Sequence, residues 1–250
     1  MKKKWVFLFL IVCICLSIVK VAYDYYAVAP ERPIYSCHHH ESDTLKILII
    51  GDSWAYFHQP YNSSLGELIY KKTERPVQVV SNGLCGKTSK EVYLSLFEDK
   101  KLKEIVSRGA DYCFISVGIN DSYKKIGASY YARHTISLIR FFLRNHVNPI
   151  ILEIPNYDIA KAYKRQTNSR KILRQLSMKI TNSQIDCRED YRQSLRQQLL
   201  AEKLTDSIII LTVKNWDASF YKPDGMHLNN KGYVSLDSCI CNLIGKSRQE

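Results

Sequence analysis

Leu45-Lys46-Ile47-Leu48-Ile49-Ile50-Gly51-Asp52-Ser53 is a short, β-rich apolar run that stops at a glycine and then presents an acid and a hydroxyl. A strand buried on both faces of a parallel sheet reads this way, and such a strand delivers Ser53 to the carboxyl edge of the sheet. Ligands bind at that edge in open α/β folds, because the loops leaving the strands and the first turns of the following helices converge there. Ser53 is therefore the first candidate nucleophile. Taken alone the stretch also fits a plain helix cap made by Asp52 and Ser53.

Outward from this strand the pattern repeats. Apolar β-rich runs recur at Val77 to Val80, Tyr112 to Val117, Pro149 to Ile154 and Ile208 to Thr212. Between them, helical spacing of apolar residues appears in Ser63 to Lys72, Val92 to Val106 and Tyr130 to Asn145. Trp54 to Pro60 reads as irregular. Strand and helix in alternation predict a three-layer α/β/α sandwich around a five-stranded parallel sheet, with right-handed crossovers. The long connection Ile159 to Leu204 carries one apolar stripe at Ile172, Leu173, Leu176 and Ile180 and a second at Leu195, Leu199 and Leu200. Two amphipathic helices packed on the sheet are expected there.

The 250 residues divide into three parts by composition. Residues 1–26 begin with Lys2, Lys3 and Lys4, followed by an apolar run from Trp5 to Val19, interrupted only by Ser17, and then Lys20. This is expected to be an uncleaved signal anchor, a transmembrane helix that leaves the lysines in the cytoplasm and the rest of the chain outside. The alternative is a cleaved signal peptide and a secreted domain, against which Pro30 stands directly after the Ala27-Val28-Ala29 triplet. Residues 27–43, with Pro30 and Pro33, read as a linker, and residues 44–250 as the domain. Cys37-His38-His39-His40-Glu41 invites a metal, but consecutive residues on a linker do not fix a coordination geometry, so no metal is expected. The eight cysteines lack zinc-ribbon regularity, and Cys113 inside a buried run reads as a small core residue. A formal charge of +12 suits an anionic polysaccharide or membrane surface, and ten lysines and arginines between Lys161 and Arg196 are either solvated surface or a basic rim. No nucleic-acid-binding motif is present, so no nucleic-acid partner is expected.

Three further blocks follow the first. Gly83-Leu84-Cys85-Gly86-Lys87-Thr88 succeeds the second strand, Gly118-Ile119-Asn120-Asp121 the third, and Asp224-Gly225-Met226-His227 lies near the carboxyl end. In this order the four blocks resemble the SGNH hydrolases, also called the GDSL esterase/lipase family, over roughly Leu45 to Ile244. The resemblance implies a flavodoxin-like fold and a serine mechanism without metal or organic cofactor. Serine needs an adjacent base to act as nucleophile, and His227 is the candidate, with Asp224 three residues earlier to orient it. The resemblance assigns the oxyanion donors to the backbone N–H of Ser53, the backbone N–H of Gly86 and the side-chain amide of Asn120.

Two departures bear on the substrate. Trp54 stands where the nickname motif has leucine, and its indole is expected either to stack on a sugar ring as a substrate-binding group or to pack into the sheet. Cys85 adjoins Gly86, where oxidation would distort the site. No hydrophobic lid is evident, which favours short acyl groups. The expected function is an esterase removing acetyl or another short acyl group from a carbohydrate or related ester. Two alternatives are open: an O-acyltransferase acting on an envelope or extracellular polysaccharide, and a catalytically silent carbohydrate-binding or envelope-assembly protein.

Overall fold

A computed structural model describes residues 2–38, 42–213 and 216–244. His39, His40 and Glu41, part of the histidine-rich run noted above, lie outside the described residues. The chain begins with helix α1 (Lys2–Tyr26), whose 25 residues rise about 37 Å at 1.5 Å per residue. Its segment Lys4–Tyr26 is long and apolar enough to cross a membrane, and the most apolar 18-residue stretch of it is not buried by the rest of the protein.

Strand β1 (Leu45–Gly51) is the centre of the domain, with Leu45, Ile47, Leu48, Ile49 and Ile50 all buried. A strand with neighbours on both edges and helices on both faces has no solvent side, which is why its apolar residues do not alternate with polar ones. It is followed by α2 (Ser53–Phe57), a 3-10 turn at Gln59–Tyr61, α3 (Asn62–Thr73) and β2 (Val77–Gly83). The segment after Ser53 is thus helical, where the sequence reads as irregular. Its helical start is set by Asp52, whose side chain accepts from the Trp54 amide at 3.0 Å.

Next come α4 (Ser89–Glu98), α5 (Lys100–Ser107), β3 (Tyr112–Ser116), α6 (Ile119–Lys124), α7 (Ala128–Arg144) and β4 (Asn148–Leu152). Asp99 ends α4 and caps α5 through the Leu102 amide, breaking the apolar run Val92 to Val106 into two helices. The connection to β5 (Ile209–Leu211) holds α8 (Ile159–Lys164), α9 (Asn168–Ile180) and α10 (Arg188–Ala201), and α11 (Asn230–Ile244) closes the fold. All strands are parallel, in the order β2-β1-β3-β4-β5. Right-handed crossovers that first step one way from β1 and then the other send α3 and α11 to one face, and α4, α7 and α10 to the opposite face. The expected three-layer sandwich with a five-stranded parallel sheet is the observed architecture.

The strand order reverses at β1, so a crevice opens at its carboxyl end between β1 and β3. Gly51 is essential to that end: its φ is +145°, and a Cβ would stand 1.9 Å from the Ser116 carbonyl oxygen of β3. The close approach lets the Asp52 amide donate to that same oxygen at 2.9 Å, which locks the turn into Ser53.

The β4–β5 connection departs from expectation. It forms three helices rather than two, and only α10 packs on the domain as expected, burying Tyr191, Leu195 and Leu199 against α7 while Leu200 of the expected stripe is exposed. On α9 the stripe does not reach the sheet: Ile172, Leu173, Leu176 and Ile180 are exposed, and Ser177 is the buried residue.

Residues 27–38 lie against the domain. The Ala29 amide donates to His134 Nε2 at 2.9 Å, the Arg32 amide to Tyr93 Oη at 3.0 Å, and the Cys37 amide to Asn145 Oδ1 at 2.7 Å. The chain has to travel this way: α1 ends beside the first turn of α4, at the carboxyl edge, whereas β1 must begin at the opposite edge.

Candidate active site

Ser53 opens α2 directly after the β1 turn. As the first residue of a helix its N–H has no intrahelical carbonyl to bond, while the Trp54 N–H next to it is taken by the Asp52 side chain. Its Oγ stands 3.0 Å from His227 Nε2. His227 Nδ1 lies 2.8 Å from Asp224 Oδ2, and a carboxylate there accepts the Nδ1 proton, which leaves Nε2 free to accept from the serine hydroxyl.

Asp224 and His227 come from one tight turn between the isolated bridge partners Tyr221 and Leu228. Asp224 Oδ1 accepts from the Met226 and His227 amides, both at 2.9 Å, so the carboxylate is fixed by the backbone of the residue it orients. Burial opposes its charge, yet the two amides and the imidazole together hold the Asp224 carboxyl below its ordinary value. Gly225 makes the turn with φ +75°, and a Cβ there would press to 2.8 Å on Asp158 at the start of α8.

The other predicted residues arrive by separate routes. Gly86 adopts φ +74° with open space where a side chain would be, so its backbone borders the crevice. Lys124 Nζ donates to the Gly86 carbonyl at 2.7 Å and holds this turn against α6. Asn120 belongs to the first turn of α6, set by Gly118 at φ +104°. Its Nδ2 donates to the Lys87 carbonyl at 3.0 Å and reaches Asp52 Oδ2 at 3.3 Å. The amide therefore spans from the turn that follows Gly86 to the Asp52-Ser53 turn, with both its protons directed at protein acceptors.

Trp54 is corrected. Its indole is 1 % exposed, donates from Nε1 to the Met226 carbonyl at 3.1 Å and stacks on Trp216 with centroids 6.0 Å apart. No sugar ring can reach it, and its observed role is to brace the turn that carries His227. The neighbour missed by sequence reading is Phe57, whose ring meets the His227 ring edge to face at 5.5 Å.

Two buried carboxylates lie beneath the rim. Desolvation raises Asp52 to about 7 against the Trp54 amide that lowers it, with Asp121 adding repulsion. Burial raises Asp121 to about 6, although Ser89 donates to it from both its amide, at 2.9 Å, and its hydroxyl, at 2.6 Å. The eight cysteines are all unpaired, Cys85 being exposed. Among the described residues no cluster of three histidines, cysteines or carboxylates is arranged to hold a metal.

No family model and no curated protein matches the chain. Solved structures do. A GDSL-like lipase from Bacteroides thetaiotaomicron superposes with a TM-score of 0.55 over 81 % of this chain and 88 % of its own, at 15 % identity. The chain has the SGNH-hydrolase fold. An acetylxylan esterase from Geobacillus stearothermophilus superposes on the same fold with a TM-score of 0.53, over 82 % of this chain and 97 % of its own, at 18 % identity.

Proposed function

We propose that this SGNH-fold chain is a serine esterase that removes acetyl or another short acyl group from a carbohydrate or related ester. The observation that carries the reading is the hydrogen-bonded series Ser53 Oγ, His227 Nε2 and Nδ1, Asp224 Oδ2, with links of 3.0 and 2.8 Å, at the amino end of a helix. In this reading His227 Nε2 takes the hydroxyl proton as Ser53 Oγ bonds to the ester carbonyl carbon. The negative charge that develops on the carbonyl oxygen meets the Ser53 N–H, the Gly86 N–H and the Asn120 amide. The tetrahedral adduct collapses, the alcohol leaves with the proton held by His227, and the acyl group remains on Ser53. Water then attacks the acyl-serine with His227 as base, releasing the acid and restoring the hydroxyl.

No step requires a metal or organic cofactor. The His227 side chain is 29 % exposed, which admits water to the second step. The name of the acetylxylan esterase neighbour supports an acetylated carbohydrate as substrate class. The apolar helix α1 supports a membrane anchor made by residues 1–26, with 27–43 as connector and 44–250 as the catalytic part. The lysines at its start support an outward-facing domain.

The test is hydrolysis of p-nitrophenyl esters together with labelling by a fluorophosphonate. Wild type should favour acetate over long-chain esters and carry one label on Ser53. Ser53→Ala should lose the label and reduce turnover about 10⁴-fold or more. Equal labelling of the Ser53→Ala protein would remove the assignment.

A further inference from the structure

Helix α9 is amphipathic, yet it turns its apolar side away from the protein. Arg174, Ser177 and Met178 face the domain, with the Arg174 guanidinium 3.9 Å from the Tyr163 ring centroid and Ser177 buried. Ile172, Leu176 and Ile180, spaced by four, and Leu173 beside them lie on the opposite side and are 51–62 % exposed. Ile185, just past the helix, is 61 % exposed. Four large aliphatic side chains on one helix face exceed the scattered exposure normal for a soluble surface.

Two further observations say what covers this face. First, α9 touches the end of α1: Tyr26 Oη lies 2.6 Å from Ser177 Oγ. At the same place Lys90 Nζ, in the first turn of α4, donates to the Asp24 and Ala27 carbonyls at 2.6 and 2.7 Å. Second, Lys164, Arg165, Arg170, Lys171 and Lys179, on and just before α9, form no ion pair among the described residues. By contrast Arg188, Arg192 and Arg196 of α10 are paired with Asp186, Glu189 and Glu153. An apolar stripe with free cations beside it, adjoining the end of a membrane-length helix, has the composition of a helix that lies in the plane of a bilayer interface.

We infer that α9 docks onto the lipid surface of the membrane that α1 enters, with Ile172, Leu173, Leu176 and Ile180 among the acyl chains and the free lysines and arginines at anionic head groups. The inference rests on the anchor reading of α1. It gives the domain two attachments and hence a fixed orientation. The side presented to the membrane is the carboxyl edge: Lys90 belongs to the same helical turn as Ser89, which holds Asp121 next to Asn120. The Ser53 rim therefore opens on the membrane side, and its ester is one presented close to the lipid surface.

The experiment uses the full chain in nanodiscs of equimolar phosphatidylcholine and phosphatidylglycerol. A photoreactive benzoylphenylalanine is placed singly at Phe9 in α1, Leu173 and Leu176 in α9, and Leu200 in α10, which is 70 % exposed at the opposite edge of the sheet. Mass spectrometry after irradiation should find lipid adducts at Phe9, Leu173 and Leu176, with Leu200 at least tenfold lower. Adducts at Phe9 without adducts at the α9 positions overturn the docking and leave the anchor intact. Crosslinks from α9 to a second copy of the chain also overturn it, since that face would be a protein interface. Lipid-free Phe9 defeats the anchor and the docking together.

Discussion

Two histidine–aspartate pairs among the described residues have surroundings that differ in ways that matter for chemistry. His227 and Asp224 sit three residues apart on a rim, with side chains 29 % and 25 % exposed, and the free imidazole nitrogen meets a serine. His58 and Asp237 come from opposite ends of the domain, are almost fully buried, and meet at 2.6 Å. The second pair has a serine too, but Ser81 is enclosed with Asn62 and bonded to it, and His58 Nδ1 is shared between them at 3.2 and 3.1 Å. The same three side-chain types are thus an open relay in one place and a closed knot in the other. The two serines are about equally buried, so what separates the sites is the exposure of the histidine and aspartate and a helix amino end beside the hydroxyl. His58 is the residue that ends α2, so the closed pair fixes the helix that the open pair uses, tying it to α11.

The largest expected effects come from breaking each pair in turn. His227→Ala should lower ester turnover about 10⁴-fold while the unfolding temperature stays within a few degrees of wild type. His58→Ala should do the reverse. It strands the Asp237 carboxylate in the interior, a loss of about 3–5 kcal/mol of stability in denaturant unfolding, with turnover falling far less in the protein that remains folded. The paired change His58→Phe with Asp237→Leu should recover much of that loss, because no buried charge is left alone. A folded His58→Ala protein as inactive as His227→Ala would mean that the inner pair takes part in the reaction.

The proposed oxyanion donors come next in size. Asn120→Ala should reduce kcat about 10²–10³-fold, equivalent to about 3–4 kcal/mol of transition-state stabilisation, with KM little changed. A kcat loss below tenfold would show that the amide serves only its bonds to the Lys87 carbonyl and Asp52.

The contrast between the pairs also explains which parts of the fold and the site are legible in the sequence. Asp224 and His227 are legible because one turn carries both, and Gly51-Asp52-Ser53 because the strand, the turn and the hydroxyl are contiguous. The five strands are legible for a similar reason, since a doubly covered strand is a short unbroken apolar run. His58 and Asp237 leave no such trace, being 179 residues apart with no shared spacing. Trp54 shows a different limit: its place beside the nucleophile is visible in sequence, but its direction is set by Met226 and Trp216, which are far along the chain. In α9 the periodicity correctly gives an apolar face and is silent about its cover. Helix α10 has a comparable pattern and finds α7.

The smallest effect tests whether burial alone separates a structural acid from the Asp224 that serves the histidine. Asp52 is fully enclosed, and desolvation raises it from 3.8 to about 7. Between those values the folded state keeps a proton that the unfolded state has released, so the stability contributed at acid pH is lost as pH rises toward 7. Asp224, held low, acts with the opposite sign: its contribution is present above the unfolded value and lost as pH falls. Asp52→Asn removes one titration, and the difference between variant and wild type cancels every other group. That difference should shift in the variant's favour by on the order of 2 kcal/mol between about pH 5 and about pH 8, measured by guanidinium unfolding. The corresponding difference for Asp224→Asn should move the other way over the acid range, because the wild type loses a favourable charge as it protonates. If Asp52→Asn shows no pH dependence relative to wild type, the Asn120 amide and the Trp54 N–H keep Asp52 ionised throughout. The two acids would then differ in exposure without differing in charge.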